Sequence, residues 1–481
     1  VYSEEYWHTR STGASRNDRI HPSTSEINAA LTNVQSNSGS SASEGLRSYI
    51  GRMNYSAYDK YLLEFSFRVD GSSKFIKGHQ YGFFPTVAVG WRFTEEEFLK
   101  KYLSSWLSSG KLRASWGKLG DNSGVDRFEQ LETLTAMNYM SSDVVKGFVN
   151  KKMINKDLSW EVSTDINVGL DLGFLNNRLR TEIDFYNRLR TGMNRPSQMS
   201  IHLTGAYSAP RANIGDLLNR GLELNLTWKD KIGNVEYSVN LNGAYNRTVL
   251  KEWNEFLSRG WVYLDMPYHF LYVYENNGIA QTWQDIYNNT PQGLSPGDVI
   301  RKDLNGDGII DGKDKKAYPN IQRDRPTTTY GITLQATWKG FDISMLFNGG
   351  LGRKDFWLTD FNNTAFADRR YASTWDHWTE PWSLENRGGE WPRLGTSTDR
   401  SDNSYWLYNM NYLRMKNIML GYNLPKKLLS KISMTNLRIY ASAENLFTVT
   451  QYPGLDPEKK NSARDLYPIN RSFSIGLNVS F

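Results

Sequence analysis

The chain has 481 residues, a net charge of only +6, 14% aromatic residues and no cysteine. No run of about 18 apolar residues occurs, which excludes a membrane-spanning helix and leaves strands that alternate apolar with polar residues untouched. No cluster of Lys and Arg stands out, so the charge gives no footprint for nucleic acid as a partner.

Residue 1 is a valine and no leader sequence precedes it, so the sequence reads as a mature or partial product. The absence of cysteine fits either a reduced compartment or an envelope protein that avoids stray disulfides. Residues 1–47 are rich in Ser, Thr and Asn and read as an extracellular loop segment.

From residue 48 the pattern changes to a period of two. Trp160, Val162, Thr164, Ile166, Val168, Leu170, Leu172 and Phe174 alternate with Glu161, Ser163, Asp165, Asn167, Gly169, Asp171 and Gly173. A strand places such sets on opposite faces. About thirteen strands are predicted: 48–57, 60–69, 82–92, 110–117, 159–174, 178–190, 219–229, 234–247, 327–338, 341–350, 411–423, 435–446 and 471–481.

The connections alternate in length. Short turns fall at 58–59, 175–177, 230–233, 339–340 and 424–434. The exception is 93–109, where Thr94 and the glutamates before Phe98 predict a capped short helix. Long loops fall at 70–81, 118–158, 191–218, 248–326, 351–410 and 447–470. Long loops at one end and short turns at the other are the habit of outer-membrane barrels, the long loops being extracellular. Tyr58, Tyr61, Trp91, Phe174, Trp228, Trp338 and Phe341 flank the short turns, where rings suit the headgroup level. The predicted fold is all-β: an antiparallel transmembrane β-barrel over residues 48–481. An odd strand count runs the first and last strands in the same direction. A closed bacterial barrel does not do this, so further strands are expected from elsewhere.

Several segments resemble, in order, the SusC/RagA-type TonB-dependent transporters of Bacteroidota outer membranes. They are F-S-F-R-V-D-G-S-S-K-F (65–75), Y-G-F-F-P-T-V-A-V-G-W-R-F-T-E-E-E-F (81–98), K-L-R-A-S-W (111–116) and N-R-G-L-E-L (219–224). Residues 296–314, Y-L-R-M-K-N-I-M-L-G-Y-N-L-P (412–425) and 437–458, ending N-L-F-T-V-T-Q-Y-P-G-L-D-P-E, extend the likeness. The resemblance implies a barrel of roughly 22 strands with an N-terminal plug, of which this chain is the C-terminal portion. It also implies a SusD-like lipoprotein lid, energy from TonB–ExbB–ExbD, and a terminal Phe481 of the kind the assembly machinery recognises. Plug, TonB box and first strands are expected outside the sequence in hand.

Residues 303–314, D-L-N-G-D-G-I-I-D-G-K-D, carry oxygen donors at alternate positions, a glycine at the sixth and an acid at the twelfth. That is the spacing of a calcium loop, with Asp303, Asn305, Asp307, Asp311 and Asp314 as side-chain donors and Ile309 giving its carbonyl. The twelfth residue is Asp, shorter than the usual Glu. A structural calcium ion is expected, against the alternative of a metal-free Asx/Gly turn. The loop 351–410 holds Trp357, Trp375, Trp378, Trp382, Trp391, Tyr405, Trp406 and Tyr408. Such rings stack on sugars or peptides, contact a lid, or build a small satellite core.

Polar residues predicted to line the lumen are Arg68, Glu161, Asp165, Asp171, Glu182, Asp184, Glu223, Glu236, Arg438 and Glu444, and these suit contact with a plug or a hydrated wall. The six histidines are scattered without ligand spacing, and no nucleophile or phosphate-loop motif occurs, so an enzyme is not expected. The leading expectation is outer-membrane, TonB-dependent import of an oligomeric nutrient, glycan or peptide. A surface protein that binds or adheres without transport is the alternative, and an outer-membrane hydrolase ranks third.

Overall fold

The computed structural model describes residues 1–16, 35–103, 106–132, 134–140, 144–150, 153–204, 209–255, 263–267, 270–356, 380–393, 402–425, 429, 434–459 and 469–480. Its body is one sheet of fourteen antiparallel strands in chain order. They are β1 (Tyr2–Arg16), β2 (Gln35–Ala57), β3 (Tyr61–Ser72), β4 (Tyr81–Trp91), β5 (Leu107–Asp121), β6 (Glu161–Phe174) and β7 (Leu179–Thr191). Next come β8 (Asp216–Ile232), β9 (Val235–Glu252), β10 (Thr328–Trp338), β11 (Phe341–Leu351), β12 (Tyr412–Asn423), β13 (Asn436–Thr450) and β14 (Ser472–Ser480). All thirteen predicted strands are present.

The reading of residues 1–47 as a loop is corrected at Tyr2–Arg16 and from Gln35 onward, while 17–34 lie outside the described residues. Tyr2–Arg16 pairs with Gln35–Tyr49 along an unbroken register, adding a strand and lengthening the next. Residues 36–43 are nearly all small and polar, so no period of two marks them; pairing with neighbours, not intrinsic propensity, makes them strand. The count of fourteen also removes the predicted parallel seam, since β1 and β14 run in opposite directions. The sheet is nevertheless open: among the described residues β1 and β14 pair on one side only. An unpaired edge in hydrocarbon leaves N–H and C=O groups unsatisfied, so closure needs further strands.

The two faces sort by polarity. Cross-strand partners share a face, and outward rungs read Leu226–Leu241–Ile332 and Phe185–Leu222–Tyr245. On β14 the outward Phe473, Ile475 and Leu477 are 72%, 85% and 63% exposed. A row of large apolar side chains this bare is a surface made for lipid.

The short connections are tight because their residues accept left-handed backbone. Tyr58 and Asp59 (φ 53° and 54°) turn β2 into β3, and Lys339 with Gly340 (φ 46° and 91°) turns β10 into β11. Near these turns Trp338 stacks on Phe341 with centroids 6.4 Å apart, and Phe341 meets Tyr422 at 4.5 Å. The predicted short helix is Glu97–Leu103, preceded by a 3-10 turn at Phe93–Glu95. Thr94 does not cap it; its hydroxyl bonds the backbone of Gly110 on β5.

The long loops fold into structure of their own. Paired segments Phe270–Tyr274 with Lys315–Gln322, Asn276–Ile279 with Val299–Arg301, and Lys354–Phe356 with Leu407–Asn409 stand beyond the sheet. Their core is Leu271, Val273, Val299, Phe356, Trp406, Met410 and Tyr452, drawn from three different loops. The long-loop end is therefore a packed cap, not separate loops.

Candidate functional site

The inward face of the sheet carries a lattice of charge. Arg113 of β5 lies beside Gly169, whose missing side chain leaves room for the guanidinium. It donates to Asp171 at 2.7 Å and Asp184 at 2.9 Å. Arg188 meets Asp165 at 2.5 Å, and Arg190 meets Asp121 at 2.8 Å and also Glu161. Arg438 donates to Asp342 at 3.0 Å. Asn240 donates to Asn225 at 2.7 Å and Thr227 at 2.8 Å. A cavity of about 440 Å³ lies over the wall between β2 and β6, lined in part by Asn54, Glu64, Arg113, Ser115 and Asn167.

The predicted lumen residues Arg68, Glu161, Asp165, Asp171, Glu182, Asp184, Glu236 and Arg438 all have polar partners within this chain. Glu223, opposite Ala244 and Asp184, and Glu444, opposite Asn417 and Ser472, stand on the same face, and such a wall can hold water and polar cargo.

Above the wall, two arginines fix the loop after β13, and the sequence reading did not single them out. Arg414 of β12 is 2% exposed and pairs with Asp456 at 2.9 Å and with Glu458; its Nε donates to Thr448. Tyr412 and Asn348 also donate to Glu458, at 2.7 and 2.9 Å. Burial pushes the Glu458 carboxyl up, but Tyr412, Arg414 and Asn348 outweigh it and hold it below the usual range. Arg353, also 2% exposed, donates to the carbonyls of Arg323, Pro457, Glu458 and Lys459. An Arg in a stretch of alternating residues looks like any lumen charge; only the three-dimensional fold shows that D-P-E descends onto it.

The predicted ring cluster divides. Trp406 is 2% exposed within the cap core, with Trp391, Tyr405 and Tyr408 packed against it. Trp382 is buried against Gly297, and its backbone N–H bonds the carbonyl of Trp391 at 2.8 Å. Tyr405 donates to the carbonyl of Glu390. The structure thus places Trp391, Tyr405 and Trp406 together in one satellite core, with Trp382 buried and tied to Trp391 through the backbone. Trp357, Trp375, Trp378 and the terminal Phe481 lie outside the described residues.

The 303–314 turn is closed by its own amides. Both oxygens of Asp303 accept backbone N–H groups, from Gly306 at 2.7 Å and Gly308 at 2.9 Å. Asp314, wholly buried, accepts from Asp311 at 2.8 Å and from Leu304 at 2.9 Å. These amides, Asp311 first, hold its carboxyl below the usual range. Asp307 accepts from Ile309 and Asn305, and Asp311 caps the turn through Lys313. Among the described residues no three acidic or histidine side chains converge as a metal cage. Each of these carboxylates keeps lone pairs beyond those its amide bonds use, since an ionised carboxylate offers about four acceptor sites.

Comparison with known proteins bears on the same residues. Residues 4–293 match the family model described as TonB dependent receptor-like, beta-barrel. TonB-dependent receptor P3 of Formosa agariphila is 30% identical over 476 residues, 91% of this chain and 45% of that protein. TonB-dependent receptor SusC of Bacteroides thetaiotaomicron is 30% identical over 456 residues, 91% of this chain and 44% of that protein. The structure of the RagAB peptide transporter superposes with a TM-score of 0.79 at 23% identity, covering 100% of this chain and 53% of that one. The chain thus spans about half the length of the relatives it matches.

Proposed function

We propose, from the premise that the chain belongs to the TonB dependent receptor-like β-barrel family, that it forms part of the wall and cap of an energised outer-membrane importer. The cargo is an oligomeric nutrient, a glycan or a peptide. The partners in this reading are a SusD-like surface lipoprotein over the cap, TonB–ExbB–ExbD below, and a plug with further strands that complete the barrel. The observation that carries it is the division of the sheet: a bare apolar outer face, and an inner face of paired charges and amides such as Arg113–Asp171–Asp184. An adhesin has no need of a continuous wet wall; a conduit does. The chain's part is binding and passage, and no catalytic group is assigned to it. For the 303–314 turn the role is structural, closing the Phe270–Tyr274 and Lys315–Gln322 pair; calcium there is a separate proposal.

The test is uptake and surface binding of labelled oligosaccharide and oligopeptide pools by cells carrying or lacking the gene, each with and without TonB. Import predicts that one pool enters only when gene and TonB are both present, with surface binding independent of TonB. Gene-dependent surface binding without TonB-dependent entry of either pool would replace this reading with the adhesion one.

A further inference from the structure

The outward face of β8 and β9 breaks its apolar pattern at one rung. Arg220 and Arg247 are direct cross-strand partners there. The rungs below them, Leu222–Tyr245, Leu224–Gly243, Leu226–Leu241 and Trp228–Val239, are apolar. Facing pairs have Cβ atoms about 4.5–5.5 Å apart, and like charges so placed repel. Arg220 Nε donates to Asn187 of β7 at 2.6 Å, which orients its guanidinium, and Asn187 occupies the same rung. Among the described residues neither arginine has a carboxylate partner, and Arg247 Nε is buried with no acceptor. The two border a cavity of about 290 Å³, completed by Leu218, Val249, Lys251 and Asp265. Lys251 is already paired with Asp265, so the site keeps the charge of both arginines.

Its height is informative. Arg220 lies eight residues from Trp228; at about 3.3 Å per residue and a tilt near 40°, it stands roughly 20 Å above that ring. The apolar band of such barrels is about 25 Å tall, so the arginines reach the outer-leaflet headgroups.

We propose that Arg220 and Arg247 bind the phosphate of a phosphorylated glycolipid in the outer leaflet. An anion between two facing guanidiniums turns their repulsion into a fork of charge-assisted hydrogen bonds, and it gives the orphaned Arg247 Nε an acceptor. The occupant is amphiphilic because the next rung towards the membrane, Leu222–Tyr245, is apolar and stands where acyl chains lie, so free phosphate meets only half of the surface on offer. This rests on outer-membrane residence alone, not on the identity of the cargo.

The intact protein, purified from outer membranes, is placed in nanodiscs of phosphatidylcholine containing lipid A, and lipid retained after detergent exchange is counted by native mass spectrometry. The wild type is expected to retain bisphosphorylated lipid A at least tenfold over the R220Q/R247Q variant. R220K/R247K is expected to fall between them, and D265N, which frees Lys251, to match or exceed the wild type. Dephosphorylated lipid A and phosphatidylethanolamine are expected to be lost at the variant's level, and 10 mM inorganic phosphate to displace nothing. Equal retention by wild type and R220Q/R247Q overturns the proposal. So does equal retention of the dephosphorylated lipid, preference for an anionic phospholipid, or displacement by inorganic phosphate. Thermal unfolding of each variant separates lost binding from lost fold; if R220Q/R247Q unfolds, the comparison passes to R220K/R247K and D265N.

Discussion

Arg414 of β12 and Asp456 of the loop after β13 meet at 2.9 Å with both side chains almost entirely shielded from water. One belongs to the wall and the other to the cap, so this contact fixes where the loop enters the mouth of the lumen. Removing one member of a buried pair leaves the other charge uncompensated, which costs about 3–5 kcal/mol. Arg414→Ala is therefore expected to lower the thermal midpoint and to expose 451–459 to protease. Replacing both partners by leucine restores much of the loss, because a buried pair and a well-packed apolar pair are close in energy. A single and a double variant with the same large penalty would show that the contact is not what holds the loop.

On the lumen face the ring of Tyr186 lies against Gly221, where an added Cβ would stand 2.3 Å from Cζ of the ring. The phenol is pinned by Asn246, which donates to it at 2.7 Å. Gly221→Ala is expected to destabilise by about 1–3 kcal/mol, the usual cost of forcing atoms into a filled space. Tyr186→Ala in the same background removes the clash and should recover part of that loss in a denaturant titration. No recovery would place the role of the glycine in its backbone and not in the ring above it.

These examples mark where sequence was informative. The strands with a greasy row, such as 159–174, were legible because lipid and water impose opposite demands on alternate residues. Tyr2–Arg16 and the first half of β2 were not, since small polar residues carry no such contrast. Asp171 and Asp184 could be named as lumen charges from their alternation, but neither their partner Arg113 nor the pairing could, because it joins residues far apart in sequence. The rings of 351–410 were visible as a cluster, yet only packing shows that Trp406 and Trp391 meet Leu271 and Val299 from another loop. The spacing of 303–314 suited a calcium loop, and spacing alone does not reveal that amides already occupy its carboxylates.

That turn has its own pH dependence. The Asp314 carboxyl is depressed by the Asp311, Leu304 and Asn305 amides. A depressed acid contributes its stabilisation above the unfolded pKa, about 4 for Asp, and loses it as pH falls through the lower folded value. Protease resistance of 303–314 is expected to be flat from pH 8 to about 5 and to decline below about 4. Asp314→Asn should be weaker at neutral pH and show no such decline. Calcium is proposed to bind this turn with an affinity of about 10⁻⁴ M or tighter by calorimetric titration, and no heat of binding at about 1 mM calcium would remove the ion from the reading.

Trp406 gives the sharpest separation of cap from wall. It is 2% exposed among Leu271, Val273, Val299 and Phe356, none of which lies on a strand of the fourteen-stranded sheet. Truncating a buried Trp to Ala costs about 3–5 kcal/mol through lost burial and the cavity left behind. That penalty falls on a cap drawn from three loops, tied together in part by Arg353 and joined to the wall through Arg414. Trp406→Ala is therefore expected to leave the protein inserted in the membrane while the segments 270–322 and 402–410 become protease-sensitive. Cargo capture should be lost with the cap even though no lumen residue has changed. Coincident loss of insertion and cap would mean that the two unfold as one unit, and that the loops contribute to assembling the barrel itself.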